Sequence, residues 1–247
     1  MIEPISGPAV RGRIWAPSSS DAVARRLVGD PSGRRTVASA LSQGGTLAGR
    51  TVGVLALQGG VREHAELLAG LGASVTYVRK VSDLTGPDGS RVDALVLPGG
   101  ESSTIDRLLR IFELTEPLRA TIASGVPTLG TCAGLVLLAR TVIDPAPGQT
   151  SLGLLDVDVR RNAFGSQVDS ALVHLDTLLG PADVAFIRAP RVERVGAGVE
   201  VLAEHQGAVV AVRQGMVTGL SFHPELTGEP RFHAALASLE TRAAGQA

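Results

Sequence analysis

From residue 51 onward, apolar and polar positions alternate between two periods. "TVGVLAL" is a continuous apolar run that stops at Gln58-Gly59-Gly60, the pattern of a strand buried on both faces. "VREHAELLAGLG" follows, with Val61, Ala65, Leu68 and Leu71 at helical spacing and Gly72 as terminator. "SVTYVR" and "DALVLPGG" read as a second and third strand, the latter stopped by Pro98. "ESSTIDRLLRIFEL" reads as a helix capped by Ser102 or Ser103. "GVPTLGT" reads as a fourth strand and "CAGLVLLAR" as its helix. Strands alternating with helices at this spacing predict right-handed crossovers and a parallel sheet.

After Asp144 the texture changes. "LGLLDVDVRR", "ALVHLDTL", "VAFIRAPRV", "VEVLAEHQ", "AVVAVRQG" and "MVTGLSFHPEL" are short strand-like runs punctuated by Gly and Pro. Some are expected to form antiparallel hairpins covering one sheet edge. "EPRFHAALASLETRAAG" closes the pattern as an amphipathic helix. The stretch before residue 50 carries neither period. It is rich in Ser, Gly, Pro and Arg, with room for one short helix from Ser20 to Val28. The expected organisation is a poorly ordered extension over 1–49 and one α/β domain over 50–247. That domain is a flavodoxin-like three-layer sandwich, its sheet mostly parallel with extra antiparallel strands in the C-terminal half.

Composition narrows the function. The chain is 44% hydrophobic and 19% charged, enough apolar material for a substantial core. A net charge of −1 and no long basic run argue against nucleic acid as a partner. No stretch is apolar for long enough to span a membrane, and the start lacks the apolar core of a secretory signal. A single cysteine makes no internal disulfide, which fits a reducing cytoplasm.

That cysteine is the candidate nucleophile. In "LGTCAGL" a strand runs into a helix at Cys132, flanked by Gly130 and Gly134 as G-x-C-x-G, the nucleophile-elbow arrangement with sulfur replacing hydroxyl. A sharp turn needs small neighbours. A helix N-terminus aimed at the sulfur favours thiolate, and the N–H of Ala133 is placed to stabilise an oxyanion. The same pentapeptide also fits a buried structural cysteine beside a turn.

A thiolate gains from an imidazole. His64, His174, His205 and His233 read as surface or satisfied-core residues. His223 differs, because "LSFHPEL" ends an apolar run where a parallel sheet opens to solvent. In extended chain, residues two apart face the same way, so Glu225 lies beside His223, with Pro224 keeping the segment out of a helix. A carboxylate there holds the ring in one tautomer and stabilises its charged form.

The order Cys, His, Glu, with His and Glu one residue apart, resembles the triad of class I glutamine amidotransferases. The ordered stretches "GVLALQGGVREH" (53–64), "LVLPGGESSTI" (95–105), "GTCAGL" (130–135), "RNAFGSQVDS" (161–170), "FIRAP" (186–190) and "SFHPEL" (221–226) are more specifically similar to the glutaminase subunits of pyridoxal 5′-phosphate synthases. The resemblance covers about residues 51 to 240. It implies that Cys132 attacks the side-chain amide of L-glutamine, that His223 moves the proton, and that Glu225 orients His223. It implies glutamine binding by Gly100, Glu101, Ser102, Arg161, Ile187 and Arg188, and an oxyanion site at Gly100 and Ala133. Glu101 suits the substrate ammonium and Arg161 its α-carboxylate. Gln58 falls near the oxyanion loop.

The implied partner is a β/α-barrel synthase subunit to which ammonia passes. No metal and no cofactor is implied, and with no phosphate-cradling motif the chain is not expected to bind pyridoxal phosphate itself. Ser166 and Ala171-Leu172 depart from the family pattern without touching the triad; the 85–91 insertion lengthens a surface loop, and the N-terminal extension has no counterpart in the family. A cysteine peptidase or other thiol hydrolase on a related sheet is the rival reading. It has no use for Arg161 or Glu101.

Overall fold

A computed structural model of the chain describes residues 47–163 and 171–244. The expected extension up to residue 46, the Ser20–Val28 helix and Ser166 lie outside the described residues. Leu47, assigned to the extension from sequence, is instead 1% exposed. Its N–H donates to the Leu71 carbonyl at 2.9 Å, so packed chain already exists three residues ahead of the expected boundary.

The elements run β1 (Thr51–Leu55), α1 (Val61–Gly70), β2 (Ser74–Val78), α2 (Val81–Leu84), β3 (Thr85–Gly86), β4 (Gly89–Ser90), β5 (Ala94–Leu97), α3 (Ser102–Ile111), α4 (Thr115–Ala123), β6 (Thr128–Thr131) and α5 (Ala133–Leu138). There follow β7 (Ala139–Ile143), β8 (Leu155–Arg160), β9 (Ala171–Leu175), β10 (Ala182–Phe186), β11 (Arg191–Val195), β12 (Glu200–His205), β13 (Ala208–Gln214), β14 (Val217–Leu220) and α6 (Arg231–Ala244). The main sheet has the order β2-β1-β5-β6-β14-β13-β11-β8-β7, with β12 also on β13. From β2 to β14 every pair is parallel; β14–β13, β13–β11 and β11–β8 are antiparallel. The mixed α/β sheet expected from the sequence is therefore present. β9 and β10 form a separate two-stranded ribbon rather than an extension of the sheet edge. β3 and β4 make a small hairpin out of the 85–91 insertion.

Two apolar layers sandwich the sheet because successive strand residues point to opposite faces. Leu55, Leu95 and Leu97 pack with Ile105, Leu109, Leu118 and Leu135 of α3, α4 and α5. Val52, Val54 and Val96 pack on the other face with Leu67 and Leu68 of α1 and with Phe232 and Leu236 of α6. Val184 and Phe186 of the ribbon join that second layer.

Three local expectations change. The α3 cap is Glu101, whose carboxylate accepts from the Ser103 N–H at 3.4 Å, not Ser102 or Ser103. The helix after Cys132 ends at Leu138 instead of running to Arg140. The returning chain takes its last carbonyls, Leu152 N–H donating to Leu137 O and Leu154 N–H to Leu138 O, and β-branched Thr141, Val142 and Ile143 pair with β8. "VAFIRAPRV" divides into β10 and β11, with Arg188 in the break at φ +44°.

Candidate active site

The carboxyl ends of four parallel strands converge, where open α/β sheets bind ligands. Chain leaving β1 carries Gln58, chain leaving β5 carries Gly99 to Glu101, β6 leads into Cys132, and β14 leads into His223. Parallel pairing of Leu97 with Gly130 and of Leu220 with Thr131 fixes these ends side by side.

Cys132 stands at the turn with φ 47° and ψ −100°, a conformation L-residues rarely adopt and one that costs about 1–3 kcal/mol. It is held there from both sides. Its N–H donates to Leu220 O at 2.8 Å, and its carbonyl accepts from Val136 N–H at 3.3 Å. The flanking glycines have a different reason from the one their sequence suggests. Neither Gly130 nor Gly134 has a positive φ. A Cβ on Gly134 would stand 2.0 Å from the Leu97 carbonyl oxygen, and one on Gly130 2.7 Å from the Gly134 carbonyl carbon. They are small so that α5 can lie against β5 and β6; the strain sits on the cysteine.

His223 and Glu225 meet as expected: His223 Nδ1 donates to Glu225 Oε1 at 2.7 Å, with both residues buried. The ring stands beside Cys132: both residues line one cleft, and a Cβ on Gly99 would meet the His223 ring and the Cys132 Cβ together. Behind it the backbone is anchored to the ribbon, His223 N–H donating to Ala185 O at 2.8 Å. Burial pulls the His223 imidazole down, but the Glu225 carboxylate and the Cys132 sulfur outweigh it and hold the ring well above its ordinary value. Burial likewise pushes the Glu225 carboxyl up, yet His64 and His223 bring it down to about 2.

In front of Cys132 and His223 lies a cleft of about 210 Å³. Gly100, Glu101, Ser102, Ala133, Arg161, Ile187 and Arg188, the residues singled out from sequence, all line it, together with Gln58 and Asn162. Cys132, Asn162 and Arg188 are three of the six non-glycine residues with positive φ among the described residues, so backbone strain gathers at this cleft. The two charges expected to grip the substrate face each other: Arg161 Nη2 donates to Glu101 Oε1 at 2.7 Å. Glycine at 99 and 100 leaves room for side chains. A Cβ on Gly99 would meet His223 Cε1 at 2.3 Å, and one on Gly100 would meet Gln58 Oε1 at 2.4 Å. Gln58 Oε1 also accepts from the Glu101 N–H at 2.8 Å, tying the loop after β1 to the loop after β5.

Two participants escaped the sequence reading. Gln149 donates to Ser102 Oγ at 3.0 Å and accepts from Arg161 Nη1 at 2.9 Å, bracing both cleft walls; nothing in "APGQTS" signals this. His64, read as surface or satisfied core, is 0% exposed and stands 3.6 Å from Glu225 Oε2. A signal existed, since His64 precedes Leu68 by one helical repeat and so shares the apolar face of α1. His233, also fully buried, contacts His64. His174 pairs with Asp183 at the surface, and His205 stacks on Phe186.

Burial holds the His233 imidazole down to about 3 and lowers that of His64 as well. The unfolded chain takes up a proton on each near pH 6.5 while the folded chain refuses it. Their contribution is therefore intact above that pH and is lost as the pH falls towards 3. At about 1.4 kcal/mol per pH unit, His233 alone removes about 2 kcal/mol between pH 6.5 and pH 5. Urea unfolding at the two pH values should show that loss, and His233→Leu should lack His233's share of it. Equal pH dependence in the two proteins would contradict the assignment.

Residues 54–238 match the SNO glutamine amidotransferase family. The pyridoxal 5′-phosphate synthase subunit PdxT of Frankia alni is 54% identical over 190 residues, 76% of this chain and 93% of that protein. The subunit of the same name from Parafrankia is 56% identical over 185 residues, 74% of this chain and 89% of that one. A crystal structure titled as a glutamine amidotransferase superposes with a TM-score of 0.71 at 45% identity, covering 77% of this chain and 98% of that chain. PurLQS from Thermotoga maritima, at 19% identity and a TM-score of 0.55, shares the fold over 78% of this chain and 98% of its own. No described helix is long and apolar enough to cross a membrane. The chain belongs to the SNO glutamine amidotransferase family.

Proposed function

We propose that the cleft hydrolyses L-glutamine to L-glutamate and ammonia, with Cys132 as nucleophile, His223 as general base and acid, and Glu225 as the group that orients His223. The observation that carries the reading is the meeting of Cys132 and His223 beside a cationic and an anionic side chain, Arg161 and Glu101, in one cleft. A free amino acid presents a carboxylate and an ammonium. Inserting it exchanges the Arg161–Glu101 pair for two pairs with the substrate, so neither charge is stranded. Ser102, Ile187 and Arg188 complete the pocket walls, and Gln149 keeps Arg161 and Ser102 aligned.

The thiolate adds to the side-chain amide carbon, and the oxygen gains the negative charge. Ala133, at the first position of α5, has an N–H without an intrahelical acceptor, and Gly100 offers a second amide across the cleft. The His223 imidazolium gives its proton to the amide nitrogen as the C–N bond breaks, releasing ammonia and leaving a glutamyl thioester. His223 then takes a proton from water, which attacks the thioester; glutamate leaves and the thiolate returns.

The relatives' name, a subunit of pyridoxal 5′-phosphate synthase, supports a synthase subunit as partner and vitamin B6 synthesis as the destination of the ammonia. We take that partner to be a β/α barrel, the setting to be cytoplasmic, and the ammonia to pass between the subunits without entering bulk water. Glutamate release should be measured with and without a pyridoxal 5′-phosphate synthase subunit. Release that depends on the subunit is expected; equal release without it, or turnover of peptides instead of glutamine, would favour a self-sufficient thiol hydrolase.

A further inference from the structure

Behind the triad lies a polar chain that the reaction above leaves unused. His64 on α1, His233 on α6 and Thr131 at the end of β6 are each fully buried. His64 Nδ1 and His233 Nε2 are 2.8 Å apart. His64 Nε2 lies 3.1 Å from Thr131 Oγ1 and 3.6 Å from Glu225 Oε2. Thr131 Oγ1 in turn accepts the Gly99 N–H at 3.0 Å. One imidazole thus faces the carboxylate that orients His223 and, through one hydroxyl, the peptide that leads into Gly100.

Buried polar groups this close constrain one another's protons. Only one hydrogen fits between His64 Nδ1 and His233 Nε2 at 2.8 Å. If it sat on His64, Nε2 would accept from the Thr131 hydroxyl at 3.1 Å, but its lone pair would still face the Glu225 carboxylate at 3.6 Å, and Glu225 Oε2 would gain no donor. If it sits on His233, His64 carries its proton on Nε2, pointing at Thr131 Oγ1 and the carboxylate. The second arrangement puts a positive bond end against Glu225 Oε2, a buried oxygen with no hydrogen-bond partner of its own. His233 Nδ1, also without a partner, is then an unprotonated acceptor, less costly than a stranded N–H. The charged groups around His64 are Glu225, His223 and, on its own helix, Glu63. Glu225 acts on His233 as well.

We infer that His64 is a positioning residue for the glutaminase reaction: with its proton on Nε2 it fixes both the Glu225 carboxylate and the Gly99 peptide, and His233 selects that tautomer. The inference rests on the triad reading, because it acts through Glu225 and His223. Neither imidazole lines the cleft, so the effect belongs to kcat and to the ionisation of His223 rather than to glutamine binding.

The chain bound to its synthase subunit is the protein to test. His64→Asn replaces the nitrogen facing His233 and removes the one facing Glu225; His64→Gln keeps a donor near the Nε2 position. For His64→Asn, kcat should fall about tenfold or more. KM for glutamine should change less than kcat, and the alkaline limb of kcat/KM should move to lower pH because the imidazolium loses a held counter-charge. His64→Gln should recover most of both, and His233→Leu should move the limb in the same direction. In the unsubstituted protein, nitrogen-15 resonances of the two rings should report Nε2–H tautomers at neutral pH, a readout independent of whether any variant folds. An Nδ1–H or doubly protonated His64, or an unmoved alkaline limb in His64→Asn, overturns the inference. If Cys132→Ala also retained glutamate release, the triad reading itself would fall. Loss in Cys132→Ala beside wild-type behaviour in His64→Asn would sink only the role of His64.

Discussion

Replacing Cys132 by alanine should abolish glutamate release while leaving the fold and the association with a synthase subunit intact. On the proposed mechanism the chemical loss is large because the nucleophile has no substitute: Cys132 is the only cysteine in the chain. Deleting the nucleophile of a triad costs about 10⁶-fold in turnover, the remainder coming from binding and oxyanion stabilisation. The structural loss is small. Alanine meets the same φ of 47° that cysteine does, and the position keeps both its backbone hydrogen bonds, to Leu220 and from Val136. Glutamate release by a coupled assay gives the first half of the expectation; size-exclusion chromatography of the mixed subunits gives the second. Residual activity above background would mean that another group attacks the amide. Loss of the complex as well would mean that Cys132 supports docking.

Gly134→Ala should fail for the opposite reason, with the chemistry intact and the scaffold broken. The added methyl would lie 2.0 Å from the Leu97 carbonyl oxygen and 2.9 Å from its carbon. Both atoms are backbone of a central parallel strand paired on each side, to β1 and β6, so they have nowhere to retreat. Either α5 lifts from the sheet, exposing Leu135 and Leu138, or β5 buckles. A cost above about 4 kcal/mol is expected, which in a domain of this size lowers Tm by about 10 °C or more. Thermal unfolding by circular dichroism measures it. A variant melting within a few degrees of the parent would show that the helix can slide away from β5 at little cost.

The contrast between those substitutions bears on what the sequence could reveal. "GTCAG" announces an elbow, and the elbow is there, but the pentapeptide does not say which of its residues is strained. Strain on Cys132 and close approach at Gly130 and Gly134 produce the same letters. Strands β1 and β5 were legible because burial on both faces leaves an uninterrupted apolar run. α4 was not, because Pro117 in its first turn reads as a break although a proline is tolerated there. The start of β7, Ala139 and Arg140, was hidden at the end of a run of helix-forming Leu and Ala, and its pairing with β8 is what draws it into the sheet.

Of the site, His223 and Glu225 were legible because their spacing in extended chain is local geometry. Gln149 was not, and of His64 only the place on the apolar face of α1 was. Their contacts join elements far apart in the chain, and only the folded sheet brings those together. The contacts between the Arg161 side and the Glu101 side are of the same kind, and the family resemblance, not the residues alone, anticipated that they share a cleft.

The placement of β14 has a consequence for synthesis on the ribosome. This strand lies between β6 and β13 and delivers the imidazole, yet it follows every other described strand in chain order. Until it threads into that slot, a nascent chain carries its thiol on an unfinished sheet, with no base beside it and no carboxylate behind the base. On the proposed mechanism, thioester chemistry therefore waits until the architecture closes, and a partly synthesised chain should release no ammonia.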